Sequence, residues 1–263
     1  MKIISGKRAR PRRTMLYGKH GIGKSTWAAG APAPFFLQCE EGLDDVGVDR
    51  SELLTSLPAV MDTLQCLHNE PHNFETVVVD TLDWYGKLAE KVICEREGVS
   101  SIDKISYHRG YGYCVPIWQN FLAWLDSLKA KRGMNVVLLA HSKIVRFQDP
   151  KTDGYDRYEP ALHAKTVCPL VQEWCDEVFF ADTDVAVITS EAGFGQERTR
   201  AIDSNVRTIF TCEMPTHLAK RRIPMPDQIG MSWAEYQQHI DAAYGTVGDI
   251  AGIVTDGSPK PKE

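Results

Sequence analysis

The chain lacks the features that mark membrane, secreted or zinc-stabilised proteins. No apolar run in its 263 residues is long enough for a signal peptide or a membrane span. Its seven cysteines are scattered and no two form a Cys-x-x-Cys pair, which argues against a disulfide framework and against a zinc site. We therefore expect a protein of the reducing cytoplasm with no membrane partner.

An excess of positive charge is also missing. The formal net charge is -5, so the molecule as a whole does not attract nucleic acid through bulk electrostatics. Any contact with DNA has to come from local patches. The most basic stretch, KRARPRR at residues 7–13, is more simply interpreted as a solvated arm than as a DNA tether.

The hydrophobic pattern predicts one α/β domain. With 43% hydrophobic residues, the chain can bury one substantial core. Short apolar runs alternate with stretches of helical period, which is typical of a parallel sheet. The runs cover residues 13–17, 34–39, 76–80, 135–140 and 176–181. The clearest predicted helix spans 115–132 and has five large apolar side chains on one face, namely Ile117, Phe121, Trp124, Leu125 and Leu128.

The pattern changes in the last third of the chain. Closely spaced apolar runs at 185–189, 198–202 and 206–212 predict an antiparallel hairpin or meander added to the sheet. A last helix is expected near 232–243, and the polar ending is expected to be disordered. We therefore expect a basic arm over 1–12, one domain over 13–245 and a tail over 246–263.

The strongest motif is GKHGIGKS at residues 18–25, which satisfies G-x-x-x-x-G-K-[ST] between an apolar strand and a helix start. The glycines let backbone N–H groups wrap phosphates at a helix N-terminus. Lys24 is expected to reach the β- and γ-phosphates, and the Ser25 hydroxyl to ligate Mg²⁺. The motif therefore predicts ATP and Mg²⁺ as cofactors. The predicted nucleotide-binding residues are Gly18, Lys19, His20, Gly21, Ile22, Gly23, Lys24, Ser25 and Thr26.

Two carboxylates follow the ends of predicted strands. Asp80 ends the run TVVVD, where it can hold Mg²⁺ opposite the phosphate loop, and the nearby Asp83 is interpreted as a helix cap. Glu40 directly follows PFFLQC. A carboxylate there could orient or deprotonate the water that attacks the γ-phosphate, although a surface glutamate is the simpler interpretation of that residue alone.

Together these segments resemble the RecA-type ATPases over most of the chain. LQCEEGLD at 37–44 resembles the family's catalytic-glutamate segment, VVVDT its Mg²⁺-binding strand, and VVLLAHSK at 136–143 its third core strand, which ends in a sensor of the γ-phosphate. The resemblance implies a RecA-like α/β core, mainly a parallel sheet with helices on both faces and an antiparallel C-terminal extension. It implies Glu40 as the water-activating base and His141 as the sensor. Recombinases usually carry an amide at that position, so a structural histidine stays an alternative.

Two polar segments correspond in position to the DNA loops of that family. Residues 104–114 interleave cations with tyrosines, and residues 142–167 are long and polar, which predicts a mobile loop. The charges of the second segment nearly cancel, so aromatic stacking would have to assist phosphate contacts. Tyrosines that pack on a helix and a disordered connector are the alternatives. The DNA-binding candidates are Lys104, Tyr107, Arg109, Tyr111, Arg146, Phe147 and Lys151.

The segment HLAKRRIP at 217–224 resembles the A-K-x-R element of hexameric RecA-like helicases. The resemblance implies that Lys220 and Arg222 reach the γ-phosphate of a neighbouring subunit, in a homo-oligomer with ATP sites at subunit interfaces. A surface basic cluster is the alternative. Because no N-terminal polymerisation segment of the recombinase type is evident, rings and transient oligomers stay open beside filaments.

The overall resemblance is to small phage-encoded RecA-like ATPases that act in single-strand annealing or recombination. It implies a DNA-stimulated ATPase of the host cytoplasm, with single-stranded DNA and a single-strand DNA-binding protein as partners. A nucleotide-dependent switch that binds protein, as KaiC-like relatives do, is favoured by the acidic net charge. A helicase-type motor and a small-metabolite kinase are further alternatives.

Overall fold

A computed structural model describes residues 6–192 and 196–244, with the backbone alone at residues 108, 184–192 and 196–205. The expected tail over 246–263 and the first five residues of the expected arm lie outside the described residues. The described strands are β1 (Arg13–Gly18), β2 (Pro34–Gln38), β3 (Asp49–Arg50), β4 (Thr76–Asp80), β5 (Asn135–Phe147), β6 (Tyr155–Pro160), β7 (Glu177–Ala192), β8 (Gln196–Phe210) and β9 (Gln228–Gly230). The described helices are α1 (Lys24–Ala29), α2 (Leu57–Asn69), α3 (Leu82–Glu97), α4 (Gly110–Arg132), α5 (Val167–Trp174) and α6 (Trp233–Tyr244).

The strands form one mainly parallel sheet in the order β3-β2-β4-β5-β1-β7-β8-β9. Strands β3, β2, β4, β5, β1 and β7 pair in parallel, whereas β8 and β9 are antiparallel. The expected α/β class with an antiparallel C-terminal extension is confirmed. Strand β1 lies between β5 and β7, so the turn that follows β1 has a neighbouring strand on each side.

Helices cover both faces of the sheet, as predicted. Along β5, Val136 and Leu138 pack with α2 to α5, while Val137 and Leu139 pack with α1 and α6. Burial on both faces explains why the strands read as continuous apolar runs in the sequence. Among the described helices, none is long and apolar enough to cross a membrane.

The predicted helix at 115–132 begins earlier, at Gly110. Pro116 lies inside it, although proline is favoured only in the first helical turn. Gly110 packs so closely on Ile102 that a Cβ at residue 110 would lie 2.6 Å from an Ile102 side-chain atom. Tertiary packing therefore extends the helix through residues that look like a loop in sequence.

The segment 142–167 was expected to be a mobile loop or a disordered connector, and that expectation is wrong. Strand β5 continues to Phe147 and pairs antiparallel with β6, which leaves only residues 148–154 as the turn. The charges of β6 pair within the hairpin and with its surroundings. Arg157 is buried, and it binds Glu159 at 2.7 Å and Glu213 at 3.1 Å.

The three apolar runs predicted for the C-terminal extension belong to two strands. Residues 185–189 continue β7, and 198–202 and 206–210 belong to β8, so two long strands form one antiparallel hairpin. The last helix is confirmed at Trp233–Tyr244.

Candidate functional site

The GKHGIGKS motif forms one tight turn between β1 and α1. Gly21 has φ +72° and Gly23 has φ +102°, values that a side chain would strain. Gly18 lies so close to β7 that a Cβ there would be 2.3 Å from the Ala181 carbonyl oxygen. All nine predicted nucleotide-binding residues, 18–26, lie in this turn and the first turn of α1.

Lys24 is held inside the turn. Its ammonium donates to the carbonyl oxygens of Gly18 at 3.2 Å and Lys19 at 3.1 Å, and its side chain is buried. Burial lowers the pKa of the Lys24 amine, and the carboxylates of Asp80 and Glu40 only partly offset that effect. The cation is therefore kept beside the backbone that would surround a phosphate.

Ser25 and Asp80 meet across 55 residues of sequence. The Ser25 hydroxyl donates to Asp80 Oδ2 at 2.6 Å. Burial raises the pKa of the Asp80 carboxyl, although the hydrogen bond from Ser25 and the charge of Lys24 oppose the shift. A hydroxyl and a carboxylate side by side fit the oxygen-ligand preference of Mg²⁺, so the two predicted metal ligands are placed as a pair.

His141 is oriented by Asp83, a carboxylate that the sequence pattern suggested to be a helix cap. Asp83 accepts the His141 backbone N–H at 3.0 Å with Oδ1, and its Oδ2 lies 2.9 Å from Nδ1. Burial would raise the pKa of Asp83, but the hydrogen bonds from His141 outweigh burial and lower it. The helix-cap interpretation of Asp83 is wrong, because Thr81 occupies the N-cap position of α3.

Glu40 faces the other side of the same ring. Its Oε1 lies 3.7 Å from His141 Nε2, and His20 stacks on the His141 ring with centroids 3.5 Å apart. Burial raises the pKa of the Glu40 carboxyl, with partial compensation from His141. Ligand atoms of Glu40, Asp83 and His141 lie within 4.8 Å of one another, but Asp83 and His141 already satisfy each other.

A cleft of about 340 Å³ at the carboxyl edge of the sheet is lined by Lys24, Ser25, Glu40, Asp80 and His141. One lining residue, Arg207 of β8, carried no signal in the sequence. Its Nη1 lies 2.9 Å from where a Cβ of Gly23 would be. Lys19 reaches from the turn to the same hairpin, at 2.9 Å from Thr183 Oγ1 and 3.4 Å from Asp182.

The candidates in 104–114 divide into exposed and packed groups. Tyr107 is 89% exposed, and the guanidinium of Arg109 lies 5.7 Å from its ring centre. The Lys104 amine donates to Ser100 at 2.6 Å. Tyr111 stacks on His163 with ring centroids 3.8 Å apart, which supports the packing alternative for that residue.

The candidates in the β5–β6 hairpin are partly engaged. Arg146 pairs with Asp156 at 3.4 Å, and both are more than half exposed. The Arg157 guanidinium covers the Phe147 ring at 3.8 Å, so that ring packs inside the hairpin. Lys151 is exposed in the turn.

Lys220 and Arg222 lie at the opposite, amino edge of the sheet. Lys220 donates to the carbonyl oxygens of Gln172 at 2.9 Å and Cys175 at 2.7 Å, where it caps the end of α5. Arg222 is 53% exposed and lies 3.4 Å from Asp176. The strand β1 separates this edge from the chain's own phosphate loop, so neither cation serves the loop of the same chain.

Comparison with known proteins identifies one family and one distant relative. A family model described as an AAA domain (AAA_24) matches residues 10–223. The SPbeta prophage-derived uncharacterized protein YorG of Bacillus subtilis (strain 168) is 21% identical over 220 residues, which are 81% of this chain. The chain spans only 59% of that relative's length. The crystal structure of the RadB recombinase aligns with 83% of this chain and 84% of its own at 12% identity, with a TM-score of 0.44.

Proposed function

The chain belongs to the AAA domain family, and from this premise we propose that it binds ATP with Mg²⁺ and hydrolyses it. The observation that carries the proposal is the 2.6 Å contact between Ser25 Oγ and Asp80 Oδ2 at the mouth of the glycine-rich turn. Mg²⁺ held there would neutralise charge on the β- and γ-phosphoryl oxygens. The buried ammonium of Lys24 adds a second charge at the same phosphates.

Glu40 and His141 are proposed to prepare the attacking water. Asp83 holds the imidazole through Nδ1, which leaves Nε2 toward Glu40. The 3.7 Å separation is too long for a direct hydrogen bond. One water can donate to both acceptors, and Glu40 then accepts its proton as it attacks. The burial that raises the pKa of Glu40 makes it a better base.

We further propose that hydrolysis is coupled to single-stranded DNA, as in recombination or annealing. Support comes from the exposed Tyr107 beside Arg109, which combine a stacking ring with a cation. Ile144, 63% exposed, and Arg146 extend an open surface on the β5–β6 hairpin. The prophage origin of the relative YorG suits such a role.

The chain also offers a route between the two sites. Strand β5 runs without a break from His141 into the hairpin, and the Ala161 N–H donates to the His141 carbonyl at 2.7 Å. Tyr111 of the first DNA segment stacks on His163, two residues further on. DNA on either segment would thus act on the residue that faces Glu40.

The test is ATP turnover by the full chain with and without single-stranded DNA. We expect stimulation by single strands and less by duplex. The double change Tyr107→Ala and Arg109→Ala should weaken oligonucleotide binding about 10-fold or more while basal turnover stays, since stacking contributes about 1 to 3 kcal/mol per base. Tyr111→Phe keeps its stack and is the matched control. Turnover indifferent to any DNA would favour the protein-binding switch.

We also propose that the protein forms an oligomer with ATP sites between subunits, and Arg222 is the basis of this proposal. Its exposed guanidinium can leave Asp176 for a neighbour's phosphate, whereas the Lys220 amine is committed to carbonyls. Mixing Lys24→Ala protein, which keeps the finger, with Arg222→Ala protein, which keeps the site, should restore activity that neither shows alone. Turnover independent of protein concentration, with no rescue, would assign Arg222 to the surface.

A further inference from the structure

Arg207 is a cation inside the candidate nucleotide cleft that belongs to none of the recognised motifs. It pairs with Thr183 at the root of the β7–β8 hairpin, where the strand register shifts. Its guanidinium occupies the space that a side chain on Gly23 would need. The absence of a Cβ at Gly23 thus allows the cation to reach the backbone of the phosphate loop.

The position of Arg207 indicates which end of the cleft would hold the α-phosphate and the nucleoside. Asp80 on β4 and His141 on β5 lie on one side of β1, and the β7–β8 hairpin lies on the other. A γ-phosphate has to lie near Asp80, Glu40 and His141, because the metal ligand and the base are there. The side of the loop nearest Arg207 is therefore the end toward the α-phosphate and the nucleoside.

We propose that Arg207 binds the nucleotide of its own chain at the α-phosphate, the nucleoside end of the triphosphate. A guanidinium presents two parallel donors that suit phosphate oxygens. No carboxylate of the described residues forms an ion pair with Arg207, so its charge is available to a ligand. The Lys19 contacts with Asp182 and Thr183 hold the hairpin root against the loop. The proposal rests on the proposed nucleotide site.

The test compares Mg²⁺-ADP and the Mg²⁺ complex of a non-hydrolysable ATP analogue, AMP-PNP, by calorimetry on the full chain. Arg207→Ala should weaken both nucleotides by a similar factor, about 10- to 100-fold, because the lost charged hydrogen bonds lie at a phosphate that both ligands carry. Arg207→Lys should recover part of that loss. Arg96→Ala, an exposed arginine in the last turn of α3, is the matched control and should change neither affinity.

Each outcome decides the proposal. Weaker binding of AMP-PNP with unchanged ADP would place Arg207 at the γ-phosphate and overturn it. Unchanged binding of both ligands, with tight binding by the parent chain, would also overturn it but leave the proposed function standing. A parent chain that binds neither nucleotide would overturn the proposed function itself. If Arg207→Ala does not fold, the ADP to AMP-PNP ratio in Arg207→Lys decides.

Discussion

The two edges of the sheet both carry clusters of charge, but they treat that charge differently. At the carboxyl edge, burial dominates at three groups: the pKa of Lys24 is lowered, and the pKa values of Asp80 and Glu40 are raised. At the amino edge, pairing dominates for the central carboxylate, Asp176. Burial would raise the pKa of Asp176, but the hydrogen bonds and charge of Arg13 outweigh it and lower the value.

This difference separates a site from a structural cluster. At the amino edge the chain supplies cationic partners for Asp176, and they stabilise its charged form. At the carboxyl edge the charged forms of Lys24, Asp80 and Glu40 stay under-compensated, which is the condition expected where a ligand completes the set. A cluster of charged residues in a sequence does not reveal which of the two it will become.

The largest expected effect is at the carboxyl edge. Lys24→Ala should reduce ATP turnover by about 10³-fold or more, because it removes the buried ammonium that the phosphate loop encloses. Lys129→Ala is the matched control, since its amine lies 3.6 Å from Asp176 at the other edge, and it should leave turnover within about 2-fold. Steady-state kinetics measures both, and equal losses would remove the distinction between the edges.

A substitution at the amino edge should change the stability of the fold and leave nucleotide binding unchanged. Glu177 is fully buried and accepts from the guanidinium of Arg12 and, at 3.2 Å, from the Thr14 hydroxyl. Glu177→Ala should lower the free energy of unfolding by about 3 to 5 kcal/mol, because it leaves a part-buried cation unpaired. Denaturant titration measures that loss. Nucleotide affinity of the folded variant should not change, and a parallel fall would mean that the two edges are coupled.

The substitution Glu40→Gln tests the role of one carboxylate at the carboxyl edge. The amide can still hold a water but cannot accept its proton, so turnover should slow by about 10²-fold while ATP affinity stays. Single-turnover kinetics with a separate binding assay distinguishes the two. If affinity and turnover fall together, the side chain supports the fold of the loop and is not the base.

The smallest expected effects have opposite signs. In nucleotide-free, metal-free protein at neutral pH, Asp80→Asn should raise the free energy of unfolding and Asp176→Asn should lower it, each by about 1 kcal/mol. Asp176 has a lowered folded pKa, so its contribution is complete above the unfolded pKa of about 3.9 and is lost as pH falls below it. Asp80 has a raised folded pKa, so its contribution is complete below about pH 3.9 and is lost as pH rises through the raised value. Thermal melts across pH measure both, and shifts of the same sign would contradict the comparison.

Local patterns in the sequence predicted the glycine-rich turn, Asp80 and the core strands, because each depends on neighbours within a few residues. The structure places Ser25 beside Asp80 as expected. Arg207 could not be predicted, since only the register of a long hairpin brings it over Gly23. The partnership of Asp83 with His141 spans 58 residues, and no local pattern encodes it.

The β5–β6 hairpin was missed for a different reason. Its turn residues and mixed charges are typical of a loop, but a buried pair on β6, Arg157 with Glu159, neutralises part of that charge. Lys220 was predicted to be free to reach a neighbouring subunit. Its acceptors are backbone carbonyl oxygens, which no sequence pattern reveals.

The continuity of β5 has a thermodynamic consequence. His141 is the last residue of β5 that pairs with β1, and Ser142 is the first that pairs with β6, so no hinge separates the nucleotide cleft from the hairpin. Under the proposed coupling, a ligand that shifts one end biases the other, and linkage makes the effect reciprocal. The factor by which single-stranded DNA on the hairpin would change the affinity for ATP would then equal the factor by which ATP changes the affinity for that DNA. Two binding titrations, run in opposite order, would thus measure a single number.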